Sequence, residues 1–394
     1  MRIIIYSLNP KYLDGGNIIA AVEHPDRVCE IRLRVSDLMG SLLEAMQVPF
    51  PVLTDLGLNC LDPTPPVLPD TFLGGSAPSL QPLALSGIPF PALPKLLLSA
   101  QDLVNLKLYE VPHTRHISPE AMATCLSILT NLESLHLGLQ PPSSFPNRGS
   151  QRPLLLTRVG LPALTKLEFQ GDSEYLEDFL ARINTPVITI TKIMFFNRVI
   201  FDIPQFFKLV SRTEAFGSTN RADPFFGKRL ARLSIYCLDS RRGRDLGDIF
   251  DNGEFYEDKV LDVGILCCAF DWKISFLVQI CGQLFPHLSS VERLNIVGGG
   301  VDSLDWEDDM DDMQWLENFR PFIAVQTIHI GYLDGFIAPT LRELTGVRVM
   351  EVLLSLRSLF VKNSDPSGFL RQAIEPFIAA RHLSNQPVTV HRWE

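Results

Sequence analysis

The side chains closest to metal-binding spacing are a histidine pair, His113 and His116 in HTRH, and a carboxylate run, Asp302, Asp305, Glu307, Asp308, Asp309, Asp311 and Asp312. A metal site needs several ligands converging at fixed spacing. The histidines have no carboxylate or cysteine partner at such a spacing, and the acidic run lacks the alternating oxygens and central glycine of a calcium loop. An exposed loop and a solvated acidic face are expected instead. The glycines 298–300 follow an apolar run, but neither GxxxxGK[ST] nor a GxGxxG opening a helix occurs. No GxSxG elbow is present. A Ser/His/Asp triad is assembled in space, so spacing alone leaves it open. Arg241, Arg242 and Arg244 are balanced by Asp239, Asp245 and Asp248, which argues against a nucleic-acid patch. The reading is of a non-enzyme with no catalytic residue, no metal and no cofactor; a hydrolase built on an insertion loop has no motif in its favour.

The seven cysteines, Cys29, Cys60, Cys125, Cys237, Cys267, Cys268 and Cys281, are scattered and form no CxxC pair. Buried thiols in a reducing compartment fit this better than a zinc or disulfide framework. The chain has 394 residues, 46% of them apolar and 20% charged, enough for a large core. A net charge of -10 disfavours phosphate backbones as partners. No secretory signal, no membrane span and no Asn-x-Ser/Thr sequon is seen, so a cytoplasmic or nuclear protein is expected.

What must position any functional side chain is a recurring hexamer. An aliphatic, two residues, an aliphatic, one residue, then an aliphatic or Phe occurs at 28–33, 53–58, 80–85, 103–108, 132–137, 164–169, 190–195, 230–235, 260–265, 291–296, 325–330 and 356–361. One hexamer means little, because leucine is common; the succession over the whole chain means much. The last two apolar positions alternate with one other residue, so both point to one face of a short strand. Helical segments are expected between strands: 118–129, with Ser118 as N-cap and Pro119 at the first turn, then 175–183, 203–216, 271–285 and 338–353. Such units cannot bury their apolar faces alone, but stacked they form one core. The expected fold is α/β: a leucine-rich-repeat solenoid, or horseshoe, with a parallel concave sheet of about twelve strands and helices on the convex side. Residues 1–27 form an N-terminal edge, 28–363 the array and 364–394 a helical cap with a last strand at 386–391. The stretches 140–160, 216–228, 239–258 and 298–312 read as insertions.

Several long segments carry a resemblance. NIIAAVEHPDRVCEIRL (17–33), PVLPDTFLGGSAPSLQ (66–81), PFPALPKLLLSAQDLV (89–104), ISPEAMATCLSILTNLESL (117–135), LPALTKLEF (161–169) with SEYLEDFLARI (173–183), and IEPFIAARHLSNQPVTVHRWE (374–394) resemble the F-box/leucine-rich-repeat proteins expanded in mushroom-forming fungi. That resemblance implies a repeat domain offering a surface to a protein substrate, and an N-terminal F-box docking on the Skp adaptor of a cullin ubiquitin ligase. Residues 1–27 contain no LPxE-type helical F-box. The expectation is therefore a repeat region whose F-box is missing, with Skp adaptor and cullin as partners only of a longer form. The alternative is a stand-alone scaffold without a ligase link.

Partner-facing residues follow from the alternation. The positions flanking the inward aliphatics include Arg32, Arg34, Lys107, Tyr109, His136, Lys166, Glu168, Lys192, Phe196, Arg232, Tyr236 and Arg293. Basic residues outnumber acidic ones on this face, and Tyr and Arg are enriched among binding hot spots. An acidic protein segment is the expected partner of the fourth to eighth hexamers; neither nucleic acid nor membrane is expected.

Overall fold

Every hexamer coincides with a strand, and in most the strand begins about two residues late. The reason is local. Leu53, Leu80, Leu103, Leu132 and Leu164 are at most 1% exposed. Each donates its amide to the carbonyl three residues back, on Phe50, Ala77, Ala100, Leu129 and Leu161 respectively. The first aliphatic thus closes a tight bend that plugs the core, and the chain extends only afterwards.

The computed structural model describes residues 3–7, 15–91, 93–112, 117–141, 158–185, 188–196, 203–213, 219–237, 259–298, 312–331, 341–342, 344, 350–362 and 369–393. The expected loop 239–258, most of the expected loops 140–160 and 298–312, the pair His113 and His116, and most of 338–353 lie outside these residues. The chain divides into two compact units, Met1–Thr189 with Ile203–Leu209, and Ile190–Asp202 with Val210–Glu394. It is mixed α/β with predominantly parallel strand pairing.

The first unit contains β1 (Ile3–Ser7), β2 (Val28–Val35), β3 (Asp55–Cys60), β4 (Pro82–Ser86), β5 (Asn105–Val111), β6 (Ser134–Leu139), β7 (Val159–Gly160), β8 (Lys166–Gly171) and β9 (Ile183–Asn184). The strands β1, β2, β3, β4, β5, β6 and β8 pair in chain order, all parallel. The short β7 and β9 pair separately. Burial alternates along β3, β4 and β8, as the period of two requires. Leu56, Leu83, Leu106, Leu135 and Leu167 stack in register and are at most 1% exposed. Each such burial contributes about 1.5–3 kcal/mol.

The intervening helices bury apolar stripes of their own. Helix 119–126 starts on Ser118, whose Oγ accepts the Ala121 amide at 3.1 Å. Helix 173–182 buries Leu176, Phe179 and Leu180. Its Glu177 carboxylate accepts the Gln205 and Phe206 amides, each at 2.8 Å, at the start of helix 204–210. A carboxylate there satisfies open amides and complements the helix dipole.

The second unit contains β10 (Ile190–Phe196), β11 (Thr219–Phe226), β12 (Leu230–Cys237), β13 (Lys259–Leu266), β14 (Arg293–Gly298), β15 (Thr327–Ile330), β16 (Ser358–Lys362) and β17 (Thr389–Trp393). Chain order fails here. The strands lie in the order β10, β13, β12, β11, β14, β15, β16, β17. β12 runs antiparallel to both its neighbours, β11 and β13. The other pairings are parallel. The expectation of one parallel sheet in chain order is corrected at this point, and the insertion expected at 216–228 holds a strand.

Pro224 concealed that strand. Proline has no N–H and is disfavoured in a central strand. β11 pairs with β14 through Arg221–Arg293 and Ala222–Leu294, skips Asp223 and Pro224, and resumes at Phe225–Val297. Lys273, 1% exposed on helix 270–283, donates to the carbonyls of Gly227 (3.0 Å) and Lys228 (3.2 Å) in the hairpin joining β11 to β12.

At the C-terminal end, helix 369–383 buries Ala373 and Phe377, and β17 extends the sheet in parallel. Arg381, 0% exposed, donates to Leu353 O at 2.6 Å, Val352 O at 3.2 Å and Gln386 Oε1 at 2.8 Å. Leu353 has φ 55°, a left-handed conformation costly for a leucine, so Arg381 holds down a strained turn. No helix among the described residues is long and apolar enough to cross a membrane.

Candidate functional site

Residues that alternate with the buried aliphatics share one face of each sheet, and the strand register aligns them into rows. In the first unit one row runs Arg32, Gly57, Ala84, Lys107, His136, Glu168. Its right end is a braced cluster. His136 Nδ1 lies 2.9 Å from Glu168 Oε2, and Lys166 Nζ lies 2.8 Å from Glu168 Oε1. The Tyr109 ring packs on His136 at 4.1 Å between centroids. Gly138 makes room for this: a Cβ there would stand 3.3 Å from His136 Nε2. Burial alone would push the Glu168 carboxyl up, but the hydrogen bonds from His136 and Lys166, with their charges, outweigh it and bring it down to about 2. Burial also raises the Tyr109 phenol, with help from the Glu168 charge. At the other end of the row Arg32 forks onto both oxygens of Asp55.

In the second unit the same alternation gathers a denser cluster. Asp262, 3% exposed, accepts from Ser234 Oγ at 3.0 Å and pairs with Arg232 and Lys259, each at 3.4 Å. Arg221 forks onto Asp223. The Arg221 guanidinium lies 4.4 Å from the Tyr236 ring centroid. Burial, then the Asp223 charge, push the Tyr236 phenol up. Burial pulls the Lys259 ammonium down, against the attraction of Asp262. Further along the register, Asn295, His329, Phe360 and His391 form a row. His329 stacks on Phe360 (4.6 Å, 9°), and Phe360 on His391 (4.7 Å, 20°).

The expected site residues therefore fall in two groups, Arg32, Arg34, Lys107, Tyr109, His136, Lys166 and Glu168 in the first unit and Lys192, Phe196, Arg232, Tyr236 and Arg293 in the second. Arg32, Lys166 and Arg232 are engaged by carboxylates, which reduces what they can offer a partner. Arg34, Lys107 and Arg293 have no ion-pair partner among the described residues. Phe196 is 3% exposed and offers no free ring. Sequence reasoning left out Arg221, Asp223 and Lys259, which lie in or beside the expected insertions. The alternation of Arg221, Asp223 and Phe225 with Ala222 and Phe226 was the available signal, and Pro224 obscured it. Among the described residues no group of three or more His, Cys, Asp or Glu is placed to hold a metal ion. No protein-family model matches this chain, and no curated protein matches it.

Proposed function

We propose that this chain is a protein-binding module of the leucine-rich-repeat kind, a horseshoe with its strands on the concave side, working in cytoplasm or nucleus without catalysing a reaction. It resembles the substrate-recognition region of fungal F-box ubiquitin-ligase adaptors, and its partner is a protein substrate of such a system. The observation that carries the reading is the row of same-facing side chains ending in Tyr109, His136, Glu168 and Lys166, which brace one another on a sheet face. Side chains ordered before binding lose little entropy on docking. Aromatic and basic anchors on a rigid sheet are also the groups that carry interface energy.

The test is capture from fungal lysate with the tagged chain as bait, read by mass spectrometry, beside a Lys107→Glu/Tyr109→Ala variant. A defined set of proteins held by the parent and lost by the variant is the expected result. Equal capture by both would refute the binding face. Skp adaptor and cullin among the captured proteins would place the module in a ligase; their absence beside a specific partner would favour a scaffold.

A further inference from the structure

Arg221 and Arg293 stand directly opposite each other on the paired strands β11 and β14. Like charges at facing positions destabilise a sheet. Arg221 is neutralised by Asp223, but Arg293 is exposed and has no ion-pair partner among the described residues. Asp262 is likewise already held by Arg232 and Lys259. Counting Lys192 with these, the described residues of this face carry five cations against two carboxylates, in a chain whose net charge is -10. That local excess suits an acidic ligand.

A second observation is independent of charge. Two residues along from Arg293, Asn295 is 2% exposed, and across the register His329 is 5% exposed. Asn295 Oδ1 and His329 Nδ1 are buried and have no hydrogen-bond partner among the described residues. Each such orphan costs about 1–3 kcal/mol, and buried polar atoms are almost always paired. Asn295 Oδ1, an amide oxygen, can only accept and needs an N–H or O–H donor. An ionised carboxylate by itself has none at neutral pH, whereas a polypeptide main chain brings an N–H with nearly every residue. Beside this pair the stacked rings of Phe360 and His391 offer an aromatic surface to side chains.

We propose that the sheet face of β11, β14 and β15 binds an acidic polypeptide segment, with Arg293 taking a carboxylate side chain and Asn295 and His329 hydrogen-bonding the peptide main chain. This rests on the reading of the chain as a protein-binding module and gives that reading a partner chemistry and a place.

The experiment uses the full chain and a fluorescently labelled oligo-glutamate peptide, with oligo-glutamine as the uncharged control, followed by anisotropy. The oligo-glutamate peptide binds, weakening as salt is raised, and oligo-glutamine does not. Arg293→Glu, a surface change, weakens binding at least about tenfold. Asn295→Leu weakens binding too, while its melting temperature does not fall, because it removes an unpaired buried acceptor. A merely structural asparagine would give the opposite on stability. Lys95→Glu, on the exposed side of helix 93–97 in the other unit, leaves binding unchanged. No binding of oligo-glutamate to the parent overturns the proposal, as does binding that survives Arg293→Glu or falls equally with Lys95→Glu. Each of those results leaves the lysate capture standing, so the broader reading and this site fail separately.

Discussion

Replacing His329 by Phe should make the protein less sensitive to mild acid. Burial, reinforced by the positive charges of Arg293 and Arg221, lowers the His329 imidazole from 6.5 to about 4. The ring is 5% exposed, so solvent screens little of this. A base whose folded pKa lies below its unfolded value takes up protons preferentially in the unfolded chain. The neutral ring therefore carries no penalty above 6.5, and stability is lost as pH falls from 6.5 towards 4. The interval between 6.5 and about 4 is worth about 3 kcal/mol in full, at ~1.36 kcal/mol per pH unit. At about pH 5 the loss is about 2 kcal/mol. Phe keeps the stacked ring against Phe360 and cannot protonate. Urea unfolding of parent and His329→Phe at about pH 7.5 and about pH 5 isolates the effect, since every other titrating group cancels in the double difference. The parent should lose about 2 kcal/mol more than the variant between the two conditions. Equal losses would refute the argument that His329 is buried, neutral and surrounded by positive charge.

Two further outcomes follow from the same reasoning. Glu168→Gln should destabilise the first unit by up to about 3 kcal/mol at neutral pH, because the carboxylate held down to about 2 by His136 and Lys166 is replaced by a neutral group. A depressed acid contributes above its unfolded pKa, so parent and variant should converge in stability as pH falls from 4.5 towards 2; a constant gap in acid unfolding curves would contradict the pairing. Arg381→Met should cost about 3 kcal/mol or more and speed hydrogen exchange across residues 350–393, because two buried carbonyls, one on the left-handed Leu353, lose their donor; unchanged exchange there would mean the turn holds itself.

The hexamers were legible because burial in a sheet imposes a period of two, and leucine at those positions announces it. Ser118 and Pro119 likewise announced the helix they start, since capping is chemistry confined to neighbouring residues. The same alternation led to Tyr109, His136 and Glu168. That they brace one another followed only from a parallel register placing residues 109, 136 and 168 side by side.

The second unit shows where local reading ends. A hexamer looks alike whether its strand runs up or down, because side-chain alternation carries no direction. LARLSI at 230–235 sits on the one described strand of this unit that runs antiparallel to both its neighbours, and nothing within those residues distinguishes it from the others. The sequence alone determined which hexamer positions carry the buried aliphatics, which residues alternate with them, and roughly where those twelve strands lie. Only the tertiary structure decided that β11 and β12 insert between β13 and β14, and so that Arg221 faces Arg293 and that Asp262 pairs with Arg232. Those neighbours are set by hydrogen bonds between strands far apart in the chain, and such pairing is a property of the assembled sheet.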